Sequence, residues 1–182
     1  MLRNSPVNAM PSRYHPALVA LHWILAFCVV GLLFAGTLVL DPLANDDPAK
    51  LISFRLHMGL GIVTLALMAV RLVLRLSTRT PPRARTGNAF LDRLGPLTHW
   101  ALYGAVLAMA VSGLLFARDS GLPDAVFGTG PMPERFDHPG RAVHGIVASV
   151  LMALIALHVA AALWHQFLRR DGLMARMWFG PR

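Results

Sequence analysis

HGIVASVLMALIALH, residues 144–158, is a run of helix-forming apolar residues with a histidine at each end and no other ionisable side chain. Fourteen residues of α-helix rise about 21 Å and turn almost four times, so His144 and His158 share one helix face at two depths. An imidazole in so apolar a segment either bonds a neighbouring carbonyl or hydroxyl, or ligates something. Ionisable residues inside a membrane are functional candidates by default, and two on one face call for a common cause.

The rest of the chain shows what surrounds that segment. Its 182 residues are 55% hydrophobic and only 14% charged, too apolar for an ordinary soluble domain. Charge is absent from 14–40, 94–117 and 142–168, and about 20 apolar residues cross a bilayer as a helix. A fourth span covers 51–76, with Arg55, Arg71 and Arg75 near its ends, where long side chains snorkel. The expected fold is an all-α bundle of four transmembrane helices, approximately 14–40, 51–76, 94–117 and 142–168, forming one domain over 1–182. The first apolar run is longer than the roughly 7–15 residues of a signal h-region, so it is expected to stay in the protein.

Charge sets the orientation. Arg3, Arg13, Arg71, Arg75, Arg79, Arg83, Arg85, Arg93, Arg169, Arg170, Arg176 and Arg182 lie on one side with only Asp92 and Asp171 as acids. The other side carries Lys50, Arg55, Arg118, Arg135 and Arg141 against Asp41, Asp46, Asp47, Asp119, Asp124, Glu134 and Asp137. Lys and Arg stay on the cytoplasmic side, so both termini are expected there, in a multi-pass protein of a bacterial inner membrane. The net charge of +8 is then a topology signal and not a nucleic-acid footprint. The connections 41–50 and 77–93 read as Pro-rich or Arg-rich loops, and 118–140 as a Gly/Pro-rich loop without a helix or strand period.

Two further histidines supply partners. His22 lies near the inner end of the first span and His57 near the outer end of the second. The fourth span runs from outside to inside, so His158 falls at the depth of His22 and His144 at that of His57. Facing imidazoles in a bundle core have the axial geometry of a haem iron. Covalent haem attachment needs Cys-x-x-Cys-His, and the single cysteine, Cys28, cannot supply it, so the expectation is two non-covalent b haems.

The same fourteen-residue step joins His22 to Gly36, His57 to Arg71 and His99 to Gly113. Gly36 and Gly113 read either as clearance for an outer macrocycle or as ordinary membrane-helix glycines. Arg71, at the inner depth, either meets a haem propionate or snorkels to the interface, as does Arg75. His15, His99 and His165, with Trp23, Trp100 and Trp164, lie toward the inner interface, where they line a quinone pocket or form an interfacial belt. His138 precedes a proline in a loop and is expected to be solvated.

The HW of the first span, the H-x-G of the second followed by VRLVLRL (70–76), the HG opening the fourth and the LHVAAALWH (157–165) closing it resemble the bacterial cytochrome b561 family, which is related to the cytochrome b subunits of nickel hydrogenases. The resemblance spans nearly the whole chain. It implies two b haems held by one histidine from the first helix, one from the second and two from the fourth, matching His22, His57, His144 and His158. It also implies electron transfer from a periplasmic donor, superoxide among the candidates, to membrane quinone, a quinone-reducing oxidoreductase activity. Two alternatives stay open. A haem-bearing membrane anchor would serve a larger hydrogenase-like or dehydrogenase partner, with a homodimer as another assembly. A His-lined metal or proton transporter would need carboxylates along its path, and no Asp or Glu lies within a span.

Overall fold

The computed structural model describes residues 11–133 and 138–180. Arg3, Glu134, Arg135, Asp137 and Arg182 of the charge argument lie outside the described residues. All regular structure among those residues is helical. Helix α1 (Pro16–Phe34) continues in a π-helical turn, Ala35–Leu40; α2 is Pro48–Ser77, α3 Ala89–Asp119, α4 Leu122–Phe127 and α5 Pro139–Leu163, which continues as π-helix over Trp164–Arg169. Four of these stretches, Pro16–Leu40, Pro48–Ser77, Ala89–Asp119 and Pro139–Arg169, are long and apolar enough to cross a membrane. They coincide with the four expected spans and extend the second, third and fourth by one to five residues at either end.

The helix starts follow from local chemistry. Proline occupies the first turn of α1, α2 and α5, where its missing N–H costs nothing. In front of each, a side chain accepts from a backbone N–H of the first turn: His15 from Ala17, Asp47 from Ala49, His138 from Gly140. His138, anticipated as a solvated loop residue, keeps a partly exposed side chain and in addition caps α5. Asn88 does the same for α3, accepting from Phe90 and Leu91.

The segment 118–140 also departs from expectation, because it contains α4. Leu122, Ala125 and Val126 are buried, and Leu122 and Val126 pack with Phe54 and Ala117 at one end of the bundle. Arg55, read as a snorkelling residue, donates from Nε to the Val126 carbonyl at 2.8 Å. Six residues are too few to display a helical period, and an isolated helix of that length is not stable without tertiary packing.

The closest helix packing is within two antiparallel pairs, α3 with α5 and α1 with α2. The outside of the bundle is apolar: Phe27 is 83% exposed, and Phe34, Leu56 and Val73 are exposed as well, the condition of a surface solvated by lipid. The end bearing residues 11–15 and 170–180 is called the near side below and the opposite end the far side. At the near side Arg170 takes a left-handed conformation, φ 55°, and turns the chain back across the bundle. The tail is tied down there, with Tyr14 N–H donating to the Arg176 carbonyl, Trp23 Nε1 to Met177 and Arg176 to Pro82.

Candidate cofactor sites

On α1, α2, α3 and α5, positions seven apart return to nearly the same face, since seven residues are about two turns. The four helices then stack into three levels. The far level holds Gly36, His57, Gly113 and His144; the middle Val29, Thr64, Val106 and Leu151; the near level His22, Arg71, His99 and His158. Side-chain contacts bear this out. Ideal Cβ atoms on Gly36 and Gly113 would stand 3.3 Å from His57 Cε1 and 2.9 Å from His144 Cε1. Val29, Val106 and Leu151 pack in one cluster, and at the near level the His158 ring contacts both His22 and His99.

Each pair of candidate ligands bridges the two helix pairs. His22 on α1 faces His158 on α5 with ring centroids 6.2 Å apart, and His57 on α2 faces His144 on α5 at 6.4 Å. These are the two pairings expected from depth. A metal ion sits about 2 Å from an imidazole nitrogen that ligates it, which puts the centroids of two rings flanking one ion about 6 Å apart. Both separations fit.

The far level also has room. A cavity of about 500 Å³ opens between the helix pairs, lined by His57, His144, Gly36 and Gly113, with Lys50 and Arg141 on its walls as well. That volume lies within the range of cofactor pockets. The glycines act more directly than anticipated, because the group nearest each absent side chain is the imidazole itself. Gly36 and Gly113 let the rings stand against the neighbouring helix while the cavity in front stays open.

Hydrogen bonds prepare the rings unequally. Ser112 donates its hydroxyl proton to the Met109 carbonyl at 3.0 Å, so its oxygen accepts from His144 Nδ1 at 3.1 Å. This holds the proton on Nδ1 and leaves Nε2 as the bare, ligating nitrogen. His57 Nδ1, by contrast, is buried with no partner, an unsatisfied polar atom of the kind that calls for an explanation. Thr64, only 4% exposed at the middle level, likewise leaves its hydroxyl unpartnered and lines the same cavity.

At the near level Arg71 is half-buried and directs Nη1 to the Tyr103 hydroxyl, its guanidinium 5.3 Å from that ring. Arg75 lies over Tyr14 instead, closer to the chain end. His99 is held through Nδ1 by the Gly95 carbonyl at 2.7 Å, and its ring is 5.2 Å from His158. Seven residues beyond His158, in the π-helical continuation of α5, buried His165 bonds Asp171 at 2.5 Å. Partial burial acts to raise the Asp171 carboxyl, but the bonds from His165 and the Leu173 N–H, with Arg169 nearby, hold it below the usual carboxylate range. Ser112, Tyr103 and Asp171 were missed by sequence reasoning. Their signals were available: Ser112 adjoins Gly113, Tyr103 follows His99 by one turn, and Asp171 follows His165 by six residues. Cys28 is a half-buried free thiol on α1.

Among the described residues no three His, Cys, Asp or Glu side chains cluster to hold a bare ion. The candidate ligands come instead in opposed pairs, a donor set that would suit a metal whose other positions belong to a macrocycle.

A family model described as prokaryotic cytochrome b561 matches residues 13–180. Cytochrome b561 homolog 2 of Escherichia coli (strain K12) is 29% identical over 174 residues, covering 92% of each chain. The probable superoxide oxidase CybB of Yersinia pestis is 26% identical, covering 92% of this chain and 97% of its own. Cytochrome b561 homolog 1 of Escherichia coli (strain K12) is 24% identical, over 91% and 97% respectively.

Proposed function

The chain belongs to the prokaryotic cytochrome b561 family, multi-pass bacterial membrane proteins of electron transfer with b-type haem, and from that premise we propose that it binds two b haems. His22 and His158 ligate one, His57 and His144 the other. Electrons pass between a donor on the far, periplasmic side and membrane quinone on the near, cytoplasmic side, where both termini lie. The observation that carries this reading is the pair of cross-bundle imidazole contacts, 6.2 and 6.4 Å between centroids at two depths.

Bound haem supplies a one-electron Fe(III)/Fe(II) couple at each level. The protein does the rest. Ser112 orients His144, Gly36 and Gly113 admit the far rings, and Val29, Val106 and Leu151 pack as an apolar layer between the levels. Arg71 places a positive charge beside the near level, favouring the state with the added electron. Quinone reduction consumes protons, and the His165–Asp171 pair is a proton-holding group on the quinone side. The orientation is supported by the arginines crowded at the near side. Superoxide is the proposed donor, supported by the name of the Yersinia relative.

The test is a reduced-minus-oxidised optical spectrum of the purified protein, with haem counted per chain. The expected result is two b-type centres per chain. One centre, or none, would overturn the two-haem reading. Quinol formation by vesicles supplied with superoxide on the outside tests the donor and the acceptor together.

A further inference from the structure

The far cavity has a charged mouth. Lys50 and Arg141 line it together with His57 and His144. Each cation precedes a candidate ligand on its own helix, Arg141 by three residues on α5 and Lys50 by seven on α2, so each lies roughly on its histidine's face but nearer the far end. Lys50 is only 5% exposed, and its Nζ donates to the carbonyls of Leu40 and Leu43 at 2.8 and 2.6 Å. Arg141 is exposed and pairs with Asp41, which also lines the cavity. Two full positive charges thus share the mouth with the Asp41 carboxylate, over walls that are otherwise largely apolar.

Burying a lysine ammonium is expensive, so a cation held at a cavity wall favours an anion within its reach. Such a mouth complements a ligand with an apolar body and an anionic edge. Haem b has this form, with two propionates on one edge. Arginine can hold a carboxylate through two N–H groups at once, while lysine acts as a point charge. We infer that Lys50 and Arg141 form the propionate-binding edge of the far site, taking the carboxylates of the group ligated by His57 and His144. This rests on the haem reading of that pocket. Asp41 then orients Arg141 and competes for its donors.

The test uses the purified holoprotein with Arg141→Leu, Arg141→Lys, Lys50→Met and Asp41→Asn, each measured by resonance Raman spectroscopy of the propionate vibrations and by redox titration. Arg141→Leu and Lys50→Met are expected to shift the propionate bands of the far haem and to disfavour its reduced form about tenfold, a fall of about 59 mV for one electron. Arg141→Lys should recover much of the potential but not the bands, since it restores charge without the fork. Asp41→Asn should raise the potential. The near haem, unchanged in the same sample, reports that the bundle is folded, and selective loss of the far haem in Arg141→Leu also supports the assignment. Unchanged propionate bands in Arg141→Leu and Lys50→Met, with the far haem retained, overturn it. If donor oxidation then becomes less sensitive to salt, the cations steer a soluble anion instead. His57→Ala separates the two readings: full haem content in that variant removes the far haem site and this inference with it, whereas loss of one haem leaves the site standing whatever the rim variants show.

Discussion

At the far level two imidazoles stand beside two glycines; at the near level, on the same four helices, three imidazoles stand with a guanidinium. Only α5 contributes a histidine to both. On α1 and α3 the far glycine becomes a near histidine, and on α2 the far histidine becomes Arg71. The far level spends its positions on clearance, because His57 and His144 rest against backbone that could bear no side chain without moving them. The near level spends them on polarity, with His99 against His158 and Arg71 on Tyr103. In the proposed function the difference has a purpose. The far site must admit a cofactor close to the surface, whereas the near site must stabilise an electron and sit beside proton-accepting groups.

The sharpest way to break this comparison is to remove ligands. His57→Ala and His144→Ala should each empty the far site, and His22→Ala and His158→Ala the near site. Each should lower the haem per chain by roughly half while the other centre's spectrum survives, since fourteen helical residues separate the levels by about 20 Å. If His22→Ala and His144→Ala abolished the same spectral component, the pairing would be wrong.

The glycines provide the next largest effect. A methyl at Gly113 would stand 2.9 Å from His144, and one at Gly36 would stand 3.3 Å from His57. Gly113→Ala should therefore cost about 1–3 kcal/mol by overpacking and reduce far-site haem content, with Gly36→Ala milder. Thermal unfolding and haem content would show the order, and a Gly36→Ala defect exceeding that of Gly113→Ala would contradict it.

Arg71 tests the near level. Arg71→Leu should disfavour the reduced near haem by about tenfold, near 59 mV, and leave the far haem within a few millivolts. Arg71→Lys should fall between. Equal shifts at both haems in a redox titration would detach Arg71 from the near site.

The smallest effect concerns the tail that closes the near side. The Asp171 carboxyl is held below its ordinary value in the folded chain, so its contribution is present above the unfolded value of about 3.9 and is lost as pH falls through the lower folded value. Hydrogen exchange over 171–180 should be slow and constant from pH 5 to 8 and quicken, after correction for intrinsic rates, only in stronger acid. Asp171→Asn should remove that acid dependence.

Much of this protein was legible in its sequence. Lipid as solvent makes spans readable, because uncharged stretches of fixed length are what a bilayer requires. The histidine pairings were legible too, since helical rise and alternating span direction convert residue numbers into depth. Composition also marked Gly36, Gly113 and Arg71, because a fourteen-residue step preserves a helix face.

Tertiary structure decided what those faces meet. No sequence period says that Gly113 stands against the His144 ring, that Ser112 bonds His144, or that His138 caps a helix. The six residues of α4 show no period, and their helix exists because Leu122 and Val126 have Phe54 and Ala117 to pack against. Most of all, charge counting placed Lys50 only by side, among the bases of the far side, whereas the folded chain buries it against two carbonyls at a cavity wall. Depth along a helix is a local property, set by bonds between neighbours. Which groups share a cavity depends on how two helix pairs close on each other, and that is settled only by packing.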